Sequence, residues 1–129
     1  MDRTDLARWM QRYERAWRTA GTDGLERLFT ARATYRPAPF AATVTGLAAI
    51  AAFWEDERDG PDEPFTVRWE PVAVEGNVGV ARVEVAYGGP QACAYRDLWI
   101  VTLEPDGRCA AFEEWPFFEG QPLTPGAVG

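Results

Sequence analysis

The chain has 129 residues, with 20 Asp or Glu and 13 basic residues, so its net charge at pH 7 is −7. This length fits one domain, and a hydrophobic content of 47% with 13% aromatic residues excludes a disordered chain. The acidic balance argues against nucleic acid and anionic membranes as partners, because both require a basic surface.

Two residue types are missing, and their absence restricts the chemistry. All 13 basic residues are Arg, and the chain contains neither His nor Lys. This removes His-based triads, His metal ligands, His proton shuttles and Schiff-base chemistry. Acid–base work therefore falls to Asp, Glu, Tyr, Arg or Cys. No apolar run is long enough to span a membrane and no signal peptide is present, so a cytoplasmic location is expected.

Two cysteines, Cys93 and Cys109, lie on the two predicted strands of one hairpin and could be neighbours across it. Two thiols are too few for a structural zinc site, and we expect them to be reduced and half-buried. No other ligand cluster and no glycine-rich phosphate loop is present. The sequence therefore predicts no metal and no cofactor.

The N-terminal half of the chain has helical periodicity. Residues 2–19 carry apolar side chains at spacings of three and four opposite a row of Arg, with Thr4 or Asp5 as the expected N-cap and Gly21 at the C-terminal end. A short helix over 24–29, a strand over 33–36, a loop or short strand over 41–46 and a third helix over 47–58 follow. The expected buried side of the third helix consists of Leu47, Ile50, Ala51, Phe53 and Trp54.

The C-terminal half is predicted to be a meander of strands. The segments 65–75 and 78–87 are strands, and 91–118 is a hairpin whose turn is Glu104-Pro105-Asp106-Gly107. Residues 60–64 and 88–90 are expected loops, and 119–129 is expected to be a loose C-terminal tail after a core over 4–118. Helices followed by an antiparallel meander indicate a single α+β domain, with helices packed on one face of a curved sheet.

Asp97 is the most informative residue of the hairpin. Side chains alternate along a strand, so Asp97 shares a face with Tyr95 and Trp99, while Leu98 and Ile100 lie on the other face. A carboxyl group among these rings and Trp115 would lose hydration, and its pKa would rise toward neutrality.

Two further expectations follow from the same hairpin. The alternative role for Asp97 is a structural ion pair with Arg96, Arg36 or Arg68. The apolar outer face at Leu98 and Ile100 is typical of a surface that a homodimer covers.

The order of these elements resembles the nuclear transport factor 2-like superfamily, in its SnoaL-like branch. The residues that carry the resemblance are 13–17, 28–30 with 33–35, Gly46 with Ile50 and 53–54, and 106–108 with Trp115. The resemblance implies a cone, in which a bent antiparallel sheet wraps a long helix and leaves an apolar pocket, and a homodimer through the outer sheet face. The family includes ketosteroid isomerases, limonene epoxide hydrolases, polyketide cyclases, scytalone dehydratases and proteins without enzymatic activity, so fold alone does not define function.

Functional residues of the ketosteroid isomerases carry over only in part. Tyr13 corresponds to their helical oxyanion donor, but the position of their general base is Pro37. Their second oxyanion donor aligns with Trp99, and Asp97 lies one pleat away on the same face. Isomerisation of a ketosteroid by that mechanism is therefore not expected.

The epoxide hydrolases offer a competing alignment. Arg82-Val83-Glu84, Glu114 and Tyr35 resemble their water-activating set in order. Alignment with the isomerases instead turns Val83 and Val85 inward and Arg82 and Glu84 outward, which the apolar-inside rule prefers. Only one of the adjacent Glu113 and Glu114 can face inward. Glu113 does so if Trp115 lines the pocket, and Glu114 does so under the hydrolase alignment.

These considerations lead to one set of predicted site residues. Asp97 and Tyr13 are predicted to be catalytic, with Tyr35 as a possible second hydroxyl donor. The predicted pocket residues are Trp17, Tyr35, Trp54, Val83, Val85, Tyr95, Trp99, Glu113 and Trp115. The expected ligand is a small apolar molecule, and the expected activity is isomerase, lyase or cyclase chemistry on an apolar carbonyl or cyclic metabolite. The alternatives are a non-catalytic ligand-binding or structural dimer, and epoxide-hydrolase-like water activation.

Overall fold

A computed structural model describes residues 1–58, 64–88 and 93–121 of the chain. The predicted loops over 60–63 and 89–90, and the predicted loose tail beyond residue 121, lie outside these residues. The elements in chain order are α1 (Arg3–Trp17), α2 (Leu25–Leu28), β1 (Phe29–Arg36), β2 (Val44–Thr45), α3 (Leu47–Glu57), β3 (Phe65–Glu75), β4 (Val78–Tyr87), β5 (Cys93–Leu103) and β6 (Cys109–Phe118).

The described strands form one sheet in the order β2-β1-β6-β5-β4-β3, with the helices packed on it. The predicted α+β class and the antiparallel meander of β3 to β6 are confirmed. One strand pair was not predicted: β1 runs parallel to β6. Register shifts mark one extra residue at Val72 in β3 and one at Ala110 in β6, and such bulges bend a sheet and increase its twist.

The N-terminus of α1 differs from the prediction. Asp2, rather than Thr4 or Asp5, is the N-cap, and it accepts a hydrogen bond from the Asp5 amide at 2.8 Å. The Asp5 carboxylate accepts one from the Asp2 amide at 2.9 Å, so the two residues form a reciprocal capping box. Thr4 therefore lies inside the first turn. The helix ends at Trp17 with Arg18 as its C-cap, two residues before the predicted end, so Gly21, with a positive φ of 78°, lies in the turn beyond the helix and not at its cap.

The apolar face of α1 packs across the concave face of the sheet. Leu6, Trp9, Met10 and Tyr13 are buried there, at the spacings that the sequence predicts. The approach is close where α1 crosses β4, because a Cβ atom at Gly79 would lie 2.9 Å from Leu6 Cδ2. This packing places one turn of α1 over the middle strands, where it forms a wall of the cavity described below.

Arg58 fixes the C-terminal end of α1. This residue follows α3 and is 9% exposed. Its guanidinium donates to four main-chain carbonyls, those of Ala16, Trp17, Thr19 and Gly21, and forms an ion pair with Glu55. A helix end leaves carbonyls without intrahelical donors, and here one buried cation supplies donors for two of them, those of Ala16 and Trp17, and for two carbonyls just beyond the helix. The ends of α1 and α3 are thereby held together.

The cysteine prediction is wrong in two respects, the proximity of the thiols and their half-buried state. Cys93 starts β5 opposite Tyr87, whereas Cys109 pairs with Leu103 at the other end of that strand, so the thiols are not neighbours. Cys93 is exposed and Cys109 is buried. Burial raises the pKa of the Cys109 thiol to about 12, which keeps it protonated at neutral pH.

The convex face of the sheet is apolar at its centre. Leu98 and Trp115, which pair across β5 and β6, are 40% and 39% exposed, and Phe117 is 49% exposed. The first strand of this pair also confirms the predicted alternation, since Asp97 and Trp99 on its other face are buried. Within the described residues, no helix combines the length and apolar character that crossing a membrane requires.

Candidate functional site

A cavity of about 530 Å³ lies between the concave face of the sheet and helices α1 and α3. Aromatic rings make up much of its wall. They belong to Tyr13, Trp17, Tyr35, Phe53, Phe65, Trp69, Tyr87, Tyr95 and Trp99. Trp99 lines this space without filling it. A volume of this size with an apolar wall and a few polar groups is typical of a small-molecule site.

Asp97 supplies one of the polar groups. The pleat of β5 turns its carboxyl toward the cavity, and the residue is 7% exposed. Trp99 Nε1 donates a hydrogen bond to Asp97 Oδ2 at 3.0 Å. Asp97 Oδ1 is buried and makes no hydrogen bond to the part of the chain that the structure describes. One oxygen of this carboxyl is therefore held in place, and the other is buried without a hydrogen-bond donor among the described residues.

The ion pairs considered for Asp97 are not formed. Arg96 and Arg68 both pair with Glu84 on the convex face, at 3.9 and 3.0 Å. Arg36 lies 3.9 Å from Glu113. Burial without a cationic partner raises the pKa of Asp97 to about 6, while the Trp99 indole and the main-chain amide of Phe117, which both favour the ionised form, oppose this rise. At pH 7 the group is mainly ionised, but it can take up a proton.

Glu114 supplies the second carboxyl group, and it ends a chain of hydrogen bonds. The Tyr35 hydroxyl donates to Glu114 Oε1 at 2.5 Å, and the Tyr13 and Tyr35 hydroxyls are 3.1 Å apart. Burial raises the pKa of Glu114 to about 8, with a smaller contribution from the negative charge of Asp97, while the bond from Tyr35 opposes the rise. Burial also raises the pKa of both tyrosines well above the usual value, so their hydroxyls stay protonated.

The placement of Glu113 and Trp115 in the pocket is wrong. Phe112, Glu114 and Pro116 face the helices, so the alternation of β6 turns Glu113 and Trp115 to the convex face. Trp115 Nε1 hydrogen-bonds to Glu113 there. The apolar-inside rule favoured Trp115 over Glu114, whereas the buried Phe112 fixes the opposite register.

Two other predicted pocket residues lie behind the wall rather than in it. Trp54 is fully buried and packs edge-on against Tyr13 and Trp17, with ring centroids 5.1 and 4.9 Å away. Val83 is fully buried opposite Asp97 on β4. The predicted residues that do line the cavity are Asp97, Tyr13, Trp17, Tyr35, Val85, Tyr95 and Trp99.

The residues of the hydrolase alignment are divided between the two faces. Arg82 is exposed and pairs with Glu70 at 2.6 Å, and Glu84 pairs outside the cavity with Arg68. Glu114 and Tyr35 face inward. Pro37, at the position of the isomerase base, also lines the cavity and has no titratable group there.

Several wall residues were missed by sequence reasoning. Phe65, Val67 and Trp69 on β3 follow a strict alternation that signals an inward face. Glu57 at the end of α3 also lines the cavity. Among the described residues, His, Cys, Asp and Glu form no group that could hold a metal ion. The arrangement can exchange protons with a bound molecule through two carboxyl groups of different pKa.

Comparison with known proteins identifies the family. The SnoaL-like domain family matches residues 10–112, and the chain therefore belongs to the SnoaL-like family. This confirms the resemblance seen in the sequence. No curated protein sequence matches the chain.

Two solved structures illustrate the similarity of fold. The first is SalBIII, described as an epoxide hydrolase/cyclase-like enzyme in pyran ring formation in polyether salinomycin. It superposes with a TM-score of 0.70 at 16% identity, over 90% of this chain and 93% of its own. The second is an LEH-like epoxide hydrolase from M. tuberculosis, with a TM-score of 0.69 at 14% identity, over 88% and 84%.

Proposed function

We propose that this protein is a cofactor-independent acid–base enzyme that acts on a small, largely apolar cyclic or carbonyl-bearing molecule bound in the cavity. One observation carries the proposal. Asp97 and Glu114 line the same cavity, and neither forms an ion pair with any arginine. Pairs of carboxyl groups whose surroundings push their pKa values apart are a recurrent basis of acid–base catalysis.

The two groups have complementary roles near neutral pH. Asp97, with a pKa of about 6, is the base that accepts a proton from the substrate. Glu114, with a pKa of about 8, is the acid that donates a proton to a substrate oxygen as negative charge develops on it. One proton is taken up and one is given, so the enzyme returns to its starting state when the two carboxyl groups exchange protons with solvent.

The tyrosines position Glu114. The Tyr35 hydroxyl donates to Glu114, and the Tyr13 hydroxyl contacts Tyr35. Tyr13 was expected to donate directly to an oxyanion, but this geometry favours an indirect role through Tyr35. Acid–base catalysis by a positioned side chain typically contributes about 10²–10⁴-fold in rate.

A second candidate reaction is the opening of an epoxide, by water or by a hydroxyl group of the same molecule. The inward position of Glu114 beside Tyr35 favours it. Asp97 would accept the proton of the attacking hydroxyl while Glu114 protonates the epoxide oxygen, so a C–O bond forms as the strained one breaks. The two similar folds described as epoxide hydrolase/cyclase-like and LEH-like epoxide hydrolase support this class. Arg82 and Glu84 take no part, because they face away.

A panel of hydroxy-epoxides, epoxides, cyclic enones and ketones tests the proposal, with product analysis by mass spectrometry. We expect turnover of at least one class, with kcat/KM rising with pH near 6 and falling near 8. Asp97→Asn and Glu114→Gln should each lower kcat by about 10²-fold or more. Glu113→Gln is the matched control and should retain activity, because Glu113 faces the other side of β6. Binding of a panel member without turnover would instead indicate a non-catalytic ligand-binding protein.

A further inference from the structure

We propose that the natural ligand of the cavity is a cation: an apolar ring body that carries a protonated amine. Because this proposal rests on the proposed function for the choice of cavity, it deepens that function by naming the charge of the substrate. Three independent features carry it, namely the sign of the charges in the wall, the aromatic rings, and an unpaired oxygen of Asp97.

Among the described residues, four carboxyl groups and no basic side chain line the cavity. These groups belong to Glu14, Glu57, Asp97 and Glu114. All 13 arginines lie within the described residues, and none lines the cavity. The segments 59–63, 89–92 and 122–129 contain no basic residue, so they add no positive charge in any conformation. The cavity therefore disfavours carboxylate, phosphate and sulfate ligands and favours positive charge.

The four carboxyl groups differ in availability. Glu14 is already paired with Arg18, at 3.0 Å, and Glu114 accepts the Tyr35 hydroxyl. Glu57 forms no ion pair with the described part of the chain, in which all arginines lie, and it is exposed at the last residue of α3. Negative charge at a helix C-terminus adds to the partial negative charge of the helix itself. Asp97 inside the cavity and Glu57 at its rim are thus the two carboxylates left for a cation.

The aromatic wall suits the same ligand. Aromatic faces carry partial negative charge and attract ammonium groups. One ring of the wall already binds a cation of the protein itself, since the Arg18 guanidinium lies 3.9 Å from the centroid of Phe65. The inner rings nearest Asp97 include Trp99, which donates to it, and Tyr13, whose ring centroid is 4.7 Å from that of Trp99.

The unpaired oxygen distinguishes a protonated amine from a neutral apolar ligand. Asp97 Oδ1 is buried without a donor among the described residues. Buried polar atoms are generally hydrogen-bonded, and an apolar ligand would leave this oxygen without a donor. An ammonium N–H supplies both the hydrogen bond and the opposite charge.

Three small probes that share a benzyl group and differ in charge and N–H content test the proposal. N,N-dimethylbenzylamine is protonated at pH 7, benzyltrimethylammonium has the charge without an N–H, and isobutylbenzene is the neutral carbon analogue. Binding is followed by the fluorescence of Trp17, Trp69 and Trp99, which line the cavity. We expect the amine to bind about tenfold or more tightly than isobutylbenzene, with benzyltrimethylammonium between them. Equal or tighter binding of isobutylbenzene, or no binding of either cation at millimolar concentration, would overturn the proposal.

Variants separate this proposal from the proposed function. Asp97→Asn should remove most of the preference for the amine over isobutylbenzene. Glu57 is exposed and should tolerate substitution, so Glu57→Gln provides a second test if Asp97→Asn does not fold. Glu57→Gln should lower the affinity for the amine by about two- to fivefold. Asp56→Asn, next to Glu57 but outside the cavity wall, should change nothing. Amine binding with no turnover of any substrate contradicts the proposed function alone, whereas turnover of neutral substrates without cation preference contradicts this proposal alone.

Discussion

The Tyr35 hydroxyl donates a hydrogen bond to Oε1 of Glu114 over 2.5 Å, from β1 to the strand that lies parallel to it. This contact joins the sixth strand to the first and brings a carboxyl group into an aromatic cavity. Glu114 has no arginine partner to stabilise its charge, and its pKa rises to about 8. Asp97, on the neighbouring strand, has a pKa of about 6. The two carboxyl groups therefore hold opposite protonation states at neutral pH.

Replacement of Tyr35 by Phe tests whether this hydroxyl tunes Glu114. The bond from Tyr35 lowers the pKa of Glu114, so Tyr35→Phe should raise that pKa further and move the alkaline limb of the pH–rate profile upward. Loss of one buried hydrogen bond should also cost about 1 kcal/mol of stability. Tyr13→Phe is the comparison, because Tyr13 contacts Tyr35 and not Glu114, and it should move the limb less. Equal shifts in both variants would contradict the proposed order of the chain of hydrogen bonds.

The pH dependence of stability tests the burial of Glu114 without any substrate. The folded protein keeps this proton up to about pH 8, whereas the unfolded chain releases it near 4.5. Its contribution to the free energy of unfolding is therefore fully present below pH 4.5 and is lost as the pH rises to 8, by up to about 1.4 kcal/mol per pH unit. Urea unfolding between pH 6 and 8 isolates the effect of Glu114. The chain has no His, and the pH range over which Asp97 changes the stability ends near 6. Glu114→Gln should flatten the slope, and Glu113→Gln should keep it.

The strands of the central meander show which structural features can be predicted from sequence patterns. The bounds of β3 and β4 coincide with their predicted ranges, because each is a long alternating run between turn residues. The inward face of β5, with Asp97 and Trp99, follows from the same period of two. The apolar side of α1 follows from helical spacing. These features depend on residues that are close together in the chain, so they can be predicted from a single sequence.

The second carboxyl group could not be found in this way. Glu113, Glu114 and Trp115 show no alternation of polar and apolar residues. Burying a Trp costs less free energy than burying a Glu, so the sequence alone favours an inward Trp115. The register of β6 depends on Phe112, which packs against Trp9 with ring centroids 5.6 Å apart, and on the irregular pairing near Leu103. Both are tertiary features. The rule that apolar side chains face inward therefore fails at the candidate site, and such failures are expected where a protein keeps buried polar groups for its function.

The hydrogen bonds from the Arg58 guanidinium to the carbonyls near the end of α1 should be essential to stability. Arg58→Met would remove the guanidinium donor from four carbonyls near the end of α1, of which only that of Ala16 is shown with a main-chain donor as well, and we expect a loss of about 2–4 kcal/mol in urea unfolding. Arg68→Met is the matched control, because its ion pair with Glu84 is exposed and should contribute within about 0.5 kcal/mol. A loss of similar size in both variants would show that the carbonyl contacts are not what stabilises this end of the fold.

The convex face of the sheet should be covered by a second copy of the chain. Leu98, Trp115 and Phe117 expose apolar surface at its centre, while Arg68, Arg82 and Glu84 surround it with mixed charge. Light scattering should give about twice the 14.4 kDa of one chain for the wild type. Trp115→Glu should yield monomers, and Phe40→Glu, which removes a fully exposed ring outside the strands of the sheet, should not. A monomeric wild type would contradict the expected homodimer.

Carbon-13 NMR titration of the side-chain carboxyl groups tests the central claim most directly, because it reads each protonation state in the ligand-free protein. Asp97→Asn and Glu114→Gln assign the two signals. The account predicts midpoints of about 6 for Asp97 and about 8 for Glu114, with each variant removing one of them. Midpoints near 4 for both groups would mean that both are ionised at neutral pH, and the acid–base pair on which the proposed function depends would not exist.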